Sequence, residues 1–487
     1  MSSLRRYAPL ITLVVGLASL YLYRLSGVGV LDPDEPRYLA IGRAMAATGD
    51  YVTPRLWGSP WFEKPPLLYW LTAIGTNARL GIELSGRLPV AILSLCFLAA
   101  MFALVKAEYG EELAALAVVL LGSSAGWLVY SSLALTDLPL AVFYSLAVLL
   151  AVPLAGTVRN EGQSGRFLLI GISLGLATLA KGLVPLMLAV PFAWFLRAWW
   201  RKWWIAAAGL LAVALPWYVA ITARNGRAFL EDFFWKHHFE RVYSSALQHV
   251  QPWWYYLPVL AGALLPWTPL AGLLLARGRK WDARQRFLAA CVAFGLVVFS
   301  VVLNKLPGYL LPLVPSAFLL LAITADWRGC RLRLWLIPCA LAIGCLPLLA
   351  QILPGVLAAG RLSLSQLPHI YPREAFYIAL PLAVLALARR SWLVPLLVLC
   401  LVACGLYLKI TAYPVLDREV SARGAWQRIK DAHGVVCDNW VSRKWAYGLA
   451  LYRGEAYPLC GTPGVRYDYK LQAHGNEMPA LVPADPR

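Results

Sequence analysis

The chain has 487 residues, of which 60% are hydrophobic and only 14% are charged. This composition excludes an ordinary soluble globular domain, in which about 25% of residues are charged. The formal net charge of +19 does not indicate nucleic-acid binding, because the Lys and Arg residues stand in short clusters between apolar runs and not on one soluble surface. We therefore expect an all-α polytopic membrane protein that binds no nucleic acid.

The apolar runs predict about 13 transmembrane helices, since about 20 apolar residues in a helix cross the hydrocarbon core of a bilayer. The first run extends from about residue 10 to 31 and lacks a cleavage site, so we expect it to be an uncleaved span. The other spans are expected at about 89–107, 113–130, 137–155, 167–180, 182–197, 204–222, 253–276, 288–303, 309–325, 334–353, 375–388 and 392–410.

The basic residues predict the orientation of these spans. Arg5 and Arg6 precede the first span, and short basic loops follow at 197–202, 277–286, 328–333 and 389–390. Short loops rich in Lys and Arg stay in the cytoplasm. With an odd number of spans, the C-terminus is then expected on the outer side of the membrane.

Two predicted outer loops, 32–88 and 223–252, are too long to be simple connectors. In the first loop, Asp34-Glu35-Pro36 predicts the start of a helix and Gly49 predicts its end. A second short helix is expected within 65–80, with an apolar stripe suited to the membrane surface. The first loop is therefore expected to be ordered, with two juxtamembrane helices.

From residue 411 onward the apolar runs shrink to strand length beside a helix-like stretch. This change predicts a transmembrane domain over 1–410 and a small α/β domain on the outer side over 411–487. Cys437 and Cys460 lie in this second domain, where an oxidising compartment would permit a disulfide. The sequence leaves a disulfide and two unpaired thiols as alternatives.

Unusual polar side chains collect at the predicted outer face: Asp34, Glu35, Arg37, Tyr38, Glu63, Lys64, Asp137, Lys181, His237, His238, Arg241, Lys305 and Tyr309. Ionisable groups at a membrane edge are costly unless they are paired, solvated or used, so the set predicts a polar cavity that opens outward. Taken singly, Asp34 and Asp137 could cap helices, and Lys181 could extend towards the headgroups. Taken together, Arg and Lys suit a phosphate, whereas carboxylates and histidine suit a divalent cation or a general base.

The order of these motifs resembles a known family. The stretches Asp32–Tyr38, Gly49–Tyr51 and Trp61–Pro66 are similar to the first outer loop of the bacterial aminoarabinose transferases of lipid A, which are membrane glycosyltransferases of GT-C type related to the protein O-mannosyltransferases. Further matches follow in order at Thr136-Asp137, Ala180-Lys181-Gly182, Phe233–Arg241, Gln251–Pro258 and Asn304–Tyr309.

The resemblance implies a bacterial inner-membrane enzyme with its active site on the periplasmic side. It also implies a polyprenyl-phosphate sugar donor and inversion at the anomeric carbon. The acceptor stays open between lipid A, another glycolipid and a secreted protein. As an alternative function, a transporter or flippase for a lipid-linked sugar would place its polar residues near the middle of the membrane, whereas here they gather at one face.

The resemblance also implies roles for individual residues. Asp34 and Asp137 are expected to be the catalytic acids. Glu63 and His238 are expected to hold a divalent metal cation, with His238 preferred to His237 because it keeps the family spacing to Arg241. The neighbours of the donor phosphate are expected to be Arg37, Tyr38, Lys64, Lys181, Lys305 and Tyr309.

Overall fold

The structure is a computed structural model. It describes residues 2–157, 162–233, 235, 250–275, 280–327, 329, 331–359, 368–463, 466–473 and 477–483. The described helices are α1 (Ser2–Leu22), α2 (Asp34–Thr48), α3 (Leu67–Asn77), α4 (Leu84–Tyr109), α5 (Glu111–Gly122), α6 (Ala125–Tyr130), α7 (Asp137–Ala151), α8 (Ser164–Lys181), α9 (Val184–Leu188), α10 (Val190–Phe195), α11 (Trp203–Leu230), α12 (Tyr256–Leu264), α13 (Gly272–Leu275), α14 (Ala283–Val301), α15 (Val314–Thr324), α16 (Leu332–Gly344), α17 (Leu346–Ala359), α18 (Pro372–Leu387), α19 (Leu393–Glu419), α20 (Ala422–Ile429) and α21 (Arg443–Arg453).

Short 3-10 helices occupy Val152–Leu154, Arg197–Lys202, Trp253–Tyr255, Thr268–Ala271, Pro307–Leu313 and Arg390–Trp392. The strands are β1 (Arg55–Leu56), β2 (Ser59–Pro60), β3 (Val436–Asp438), β4 (Tyr469–Gln472) and β5 (Ala480–Pro483). β1 and β2 form an antiparallel hairpin. In the second sheet β4 lies in the centre, parallel to β3 and antiparallel to β5.

The predicted class, a helical protein with many membrane spans, is confirmed. Within the described residues, seven helices are long and apolar enough to cross a membrane, or up to nine if each of two bent helix pairs is one span. This number is below the predicted 13 because several predicted spans are shorter or broken. The span expected at 113–130 divides into α5 and α6, and the span expected at 182–197 divides into α9 and α10.

The sequence explains these breaks. Between α5 and α6, the hydroxyl of Ser124 donates a hydrogen bond of 2.7 Å to the carbonyl of Leu121, so a side chain competes with the helical backbone pattern. Pro185 and Pro191 stand in the first turns of α9 and α10. A proline has no backbone N–H to continue a preceding helix, and it fits the first turn of a new one.

The centre of the bundle is formed by α7 and by the segment Pro307–Thr324, since 78% of each apolar window is buried inside the protein. α8 packs closely against α11, because Gly171 and Gly175 lie four residues apart on one face of α8. A Cβ atom on Gly171 would lie 2.0 Å from the carbonyl oxygen of Ala206 on α11. Small residues at this spacing let two membrane helices approach closely. The C-terminal end of α8, which carries Lys181, is thereby fixed beside the core.

The first outer loop contains both expected helices. α2 ends at Gly49, which adopts a left-handed backbone conformation with φ of 71°, as glycine does at many helix ends. Below it, α3 packs against α2. A Cβ atom on Gly42 would lie 2.5 Å from the Cβ atom of Thr72, so glycine is required for this close contact.

The last span continues past the predicted boundary. α19 extends to Glu419, so residue 411, where the second domain is predicted to start, lies within a helix. After this helix the chain contains α20, α21 and the sheet β3-β4-β5. Helices and strands are thus both present there, and the division of the chain into two domains stays a prediction. Cys437 and Cys460 form a disulfide, which decides between the two alternatives that the sequence left open.

Candidate active site

The start of helix α2 shows which acid is engaged by the backbone. The carboxylate of Asp32 accepts hydrogen bonds from the backbone N–H groups of Asp34 at 2.6 Å and of Glu35 at 2.9 Å. Asp32 thereby satisfies the N–H groups at the helix start, as a capping acid does. The alternative that Asp34 is the cap is therefore wrong. The Asp34 carboxylate makes no such bond to the helix start, and 35% of the side chain is exposed.

Asp32 also has an unusual environment. Burial raises its pKa to about 7, and the charges of Glu35 and Asp34 add to this rise. No role for Asp32 was predicted from the sequence, although it belongs to the motif that carries the family resemblance.

Arg37 connects two of the predicted acids, Asp34 and Glu63. Its guanidinium forms an ion pair with Asp34, one helical turn earlier, and donates a second hydrogen bond of 2.7 Å to Oε2 of Glu63. Lys64 lies 3.3 Å from the other oxygen, Oε1, of Glu63. Arg37 and Lys64 are each only 11–12% exposed. The four predicted residues therefore form one chain of alternating charges from Asp34 to Lys64.

Tyr38 occupies a different position from Arg37. Its side chain is 2% exposed and packs against Tyr69 of α3, with ring centroids 5.9 Å apart. Burial raises the pKa of Tyr38 well above its ordinary value, so the phenol stays protonated at physiological pH. The structure thus places Tyr38 beneath α2, where it supports Arg37, whose guanidinium lies 5.9 Å from the Tyr38 ring.

Asp137 and Lys181 form a second centre. Asp137 is the first residue of α7 and Lys181 is the last residue of α8, so the packing of these helices brings the two side chains together. Nζ of Lys181 donates a hydrogen bond of 2.6 Å to Oδ1 of Asp137 and lies 4.5 Å from the centre of the Tyr309 ring. Lys181 therefore contacts two other predicted residues, Asp137 and Tyr309.

One cavity joins the two centres. It has a volume of about 210 Å³, and its polar lining includes Glu63, Lys64, Lys181 and Tyr309. The remaining wall is mostly apolar: Pro65, Leu140, Leu183, Val184, Met187, Phe233, Phe299 and Val302. Such a cavity offers two ammonium groups to an anion and a dry wall to a hydrocarbon chain. The structure thus brings four of the predicted residues to one cavity, which also has an apolar side that the sequence did not indicate.

Lys305 is close to this cavity but does not line it. The side chain is 4% exposed, and Nζ donates a hydrogen bond of 3.0 Å to the carbonyl oxygen of Gln251. Burial lowers the pKa of Lys305. Its neighbour Asn304 does line the cavity. Lys305 therefore lies behind the cavity wall, where its hydrogen bond joins two loops.

The residues around Glu63 do not by themselves form a metal centre. Both carboxylate oxygens of Glu63 already have a cationic neighbour, Arg37 or Lys64. No group of three or more His, Cys, Asp or Glu side chains in the described ranges is placed to hold a metal ion. The other predicted ligand, His238, lies outside the described residues, as do His237 and Arg241. The metal cation stays a prediction.

The ion pair that anchors this site was not predicted from the sequence. Arg87 of α4 forms two hydrogen bonds of 2.7 Å with the carboxylate of Glu35, and the backbone N–H of Ala134 donates to the same carboxylate at 3.0 Å. Glu35 is fully buried and Arg87 is 3% exposed. The pair joins α2 to α4 and to the loop before α7, so it fixes Asp34 relative to Asp137. No local pattern could have indicated a contact between residues 52 positions apart.

Fold and site together define a class: a multi-span membrane protein with a charged, apolar-walled cavity between its first outer loop and its central helices. Residues 8–261, just over half of the chain, match the family of dolichyl-phosphate-mannose-protein mannosyltransferases. The chain belongs to this family.

Individual relatives are similar to a larger part of the chain. The undecaprenyl phosphate-alpha-4-amino-4-deoxy-L-arabinose arabinosyl transferase of Pseudomonas aeruginosa is 33% identical over 335 residues, which cover 65% of this chain and 59% of that protein. The transferase of the same description from Edwardsiella ictaluri is 28% identical over 336 residues, with 66% and 60% covered. The chain thus spans about three fifths of the length of these relatives.

A crystal structure has the same fold. ArnT from Cupriavidus metallidurans bound to undecaprenyl phosphate superimposes with a TM-score of 0.72, at 24% sequence identity, over 93% of this chain and 85% of that one. The resemblance drawn from the motifs is therefore confirmed at the level of family and fold.

Proposed function

We propose that this protein is an inverting membrane glycosyltransferase. It moves a sugar from undecaprenyl phosphate, or a related polyprenyl phosphate, to an acceptor on the periplasmic side of a bacterial inner membrane. The observation that carries this proposal is the single cavity that combines the ammonium groups of Lys64 and Lys181 with apolar walls. A polyprenyl-phosphate donor has the same two parts, an anion and a hydrocarbon chain. The relatives and ArnT, whose names include undecaprenyl phosphate, support this choice of donor.

The charges suggest how the transfer proceeds. The acceptor hydroxyl attacks the anomeric carbon, its proton passes to the carboxylate of Asp34, and the bond between that carbon and the phosphate oxygen breaks. Charge then increases on the leaving phosphate, which Lys64 and Lys181 stabilise as preorganised donors. Asp137 holds Lys181 through the hydrogen bond of 2.6 Å. If the acceptor is itself a phosphate, its oxyanion attacks directly and Asp34 takes up no proton.

The test of function is transfer by the purified full-length protein in proteoliposomes. We expect sugar transfer from undecaprenyl phosphate-α-4-amino-4-deoxy-L-arabinose to lipid A or a related glycolipid, with a protein acceptor as the second choice. Replacing Lys64 or Lys181 by Gln should raise the donor KM roughly 10- to 100-fold, since a hydrogen bond to a charged group contributes about 1.5–3 kcal/mol.

Lys202→Gln is the matched control for these two lysines. Lys202 donates a hydrogen bond of 2.8 Å to the hydroxyl of Ser164 and does not line the cavity, so the donor KM of this variant should stay within about twofold of wild type.

Absence of transfer with arabinose-type and mannose-type donors, together with movement of the lipid-linked sugar across the bilayer, would instead establish a transporter.

Gly308 offers a second test of the cavity. A Cβ atom at this position would lie 2.6 Å from Oδ1 of Asp137 and 2.7 Å from the hydroxyl of Tyr130. Gly308→Ala should therefore displace Asp137 from Lys181 and lower the transfer rate at least about 10-fold. Gly165→Ala is the control. Gly165 lies on α8, the helix that carries Lys181, and a Cβ atom at this position meets nothing within 4 Å. Equal rates for both variants would refute the assigned importance of the Asp137–Lys181 contact.

The metal prediction has its own test. We propose that a divalent cation binds between Glu63 and His238, in addition to the positive charges of Arg37 and Lys64. Removal of metal with a chelator should lower transfer, and re-addition of one divalent ion should restore it in wild type but not in Glu63→Gln or His238→Asn. Full activity of protein shown to be metal-free by elemental analysis would show that the transfer reaction does not require a metal.

We also propose the full topology of 13 spans, with a cytoplasmic N-terminus and a periplasmic C-terminus. The short basic loops support it, because such loops stay in the cytoplasm. Alkaline phosphatase, which folds only in the periplasm, should be active when fused after residue 487 and inactive when fused after residue 202. Activity only in the fusion after residue 202 would show that the orientation is the reverse of the proposed one and that the active site does not face the periplasm.

A further inference from the structure

The C-terminal domain contacts the candidate active site directly. The Tyr447 side chain, on α21, places its ring 5.3 Å from the guanidinium of Arg37. The Trp61 ring lies 5.4 Å from the same guanidinium. Aromatic rings at such distances attract a cation electrostatically, most strongly where water is excluded. Arg37 is therefore held by rings from two parts of the chain that are far apart in sequence.

A second contact connects α21 to the first outer loop. Trp57, in the turn between β1 and β2, stacks on Tyr447 with ring centroids 5.6 Å apart and an interplanar angle of 25°. Trp57 adopts φ of 46°, a conformation that costs free energy for a bulky side chain and is kept only where surrounding contacts enforce it. Tyr447 thus lies between Arg37 and a tryptophan held in a strained turn.

The disulfide confines the segment that carries Tyr447. Cys437 and Cys460 are 23 positions apart, and all of α21 lies between them. The two ends of this segment are also joined by backbone hydrogen bonds between Asp438 and Pro458 at 2.8 Å and between Cys460 and Asp438 at 3.0 Å. The disulfide therefore closes a loop whose helix packs on α2.

The domain is also fixed to the loop from outside this segment. Glu83 accepts hydrogen bonds from the hydroxyl of Tyr452 at 2.6 Å and from Arg423 at 3.1 Å. An apolar cluster contains Val30 and Leu39 beside Trp445 and Leu449 of α21. These contacts keep α21 in register with α2, so that Tyr447 stays opposite Arg37.

We propose that Tyr447 is a positioning residue of the transfer site and that the Cys437–Cys460 disulfide holds it there. This inference rests on the proposed function. Arg37 neutralises Glu63, and Glu63 lines the cavity. If the Tyr447 ring is lost, Arg37 is held less firmly, and the negative charge of Glu63 is then less well compensated. An anionic phosphate in the cavity is consequently bound more weakly.

The experiment measures the binding of radiolabelled undecaprenyl phosphate to the purified full-length protein. Tyr447→Ala should raise Kd roughly 3- to 30-fold, the range expected for a cation–π contact. Tyr447→Phe keeps the ring and should bind within about twofold of wild type. Kd is an informative readout because partial unfolding lowers the number of binding sites and leaves the Kd of the folded molecules unchanged.

Tyr457→Ala is the matched control. Tyr457 lies in the same disulfide-closed segment and contacts the guanidinium of Arg453 at 4.3 Å, so the variant loses a comparable contact away from Arg37. Its Kd should equal that of wild type. An unchanged Kd in Tyr447→Ala, or an equal rise in Tyr457→Ala, would overturn the inference. Failure of the wild-type protein to bind undecaprenyl phosphate would instead overturn the proposed function, and the inference with it.

A second set of variants tests whether the disulfide acts through Tyr447. The double variant Cys437→Ser, Cys460→Ser should raise Kd, but by no more than Tyr447→Ala does, because the contacts of Glu83 and of the apolar cluster still hold α21 on α2. Combining all three substitutions should add little, because residues that act through one contact are not additive. Kd values that multiply in the triple variant, or a double variant that binds like wild type, would show that the disulfide does not act through Tyr447.

Discussion

Replacing Asp34 with Asn is expected to lower sugar transfer to a hydroxyl acceptor by about 10²- to 10⁴-fold, the contribution typical of a general base. The amide keeps an oxygen that can accept a hydrogen bond from Arg37, but it cannot take up the proton of the attacking hydroxyl. The helix itself should remain intact, since Asp32 provides the cap. Initial rates at saturating donor, normalised to the amount of folded protein, provide the measurement.

Asp50→Asn is the matched control for this prediction. Asp50 is also a partly exposed acid of the first outer loop with an arginine partner, Arg224, at 2.9 Å, but it follows the other end of α2. We expect transfer within about threefold of wild type, because an exposed ion pair contributes little. A wild-type rate in Asp34→Asn, or an equally large loss in Asp50→Asn, would remove Asp34 from its catalytic role.

Replacing Arg87 with Met is expected to have the largest effect on stability. It would leave the Glu35 carboxylate buried without its cationic partner, which costs about 3–5 kcal/mol. The melting temperature in detergent and the yield of folded protein should both fall sharply. Because the Glu35–Arg87 pair fixes α2 relative to α4, the residual folded protein should also have low transfer activity.

Two variants check this reasoning. Adding Glu35→Leu to Arg87→Met removes the unpaired charge and should recover part of the lost stability, as apolar replacements of buried ion pairs often do. Lys106→Met, on the same helix α4, breaks an ion pair of 2.7 Å between exposed side chains and should cost less than about 1 kcal/mol. If Arg87→Met melts like Lys106→Met, the buried pair does not anchor the site.

The helical class and the first outer loop could be predicted because their causes are local. Apolar runs long enough to cross a bilayer are visible in the sequence. The start of α2 is marked by the adjacent acids Asp34 and Glu35, and its end is marked by Gly49. The number of spans was harder to predict. Where α5 ends and α6 begins, the break depends on serine hydroxyls competing for the backbone, and apolar content alone does not reveal it.

The candidate site was predicted as a set of residues but not as an arrangement. The motifs named Lys64, Lys181 and Tyr309, which the structure brings to one cavity. They could not show that Tyr38 lies buried beneath α2 or that Lys305 bonds to a backbone carbonyl. Both outcomes depend on how neighbouring helices pack, and this packing is set by contacts between residues far apart in sequence.

By itself, the sequence determined that this protein spans a membrane and carries a cluster of acids and bases at one face, because hydrophobic length and charge are properties of short stretches. Only the tertiary structure decided that Asp32 and not Asp34 caps α2, that Glu35 is paired with Arg87, and that Tyr447 lies beside Arg37. These are non-local choices. Each depends on which side chains are brought within a few ångströms when the helices and the C-terminal segment pack together.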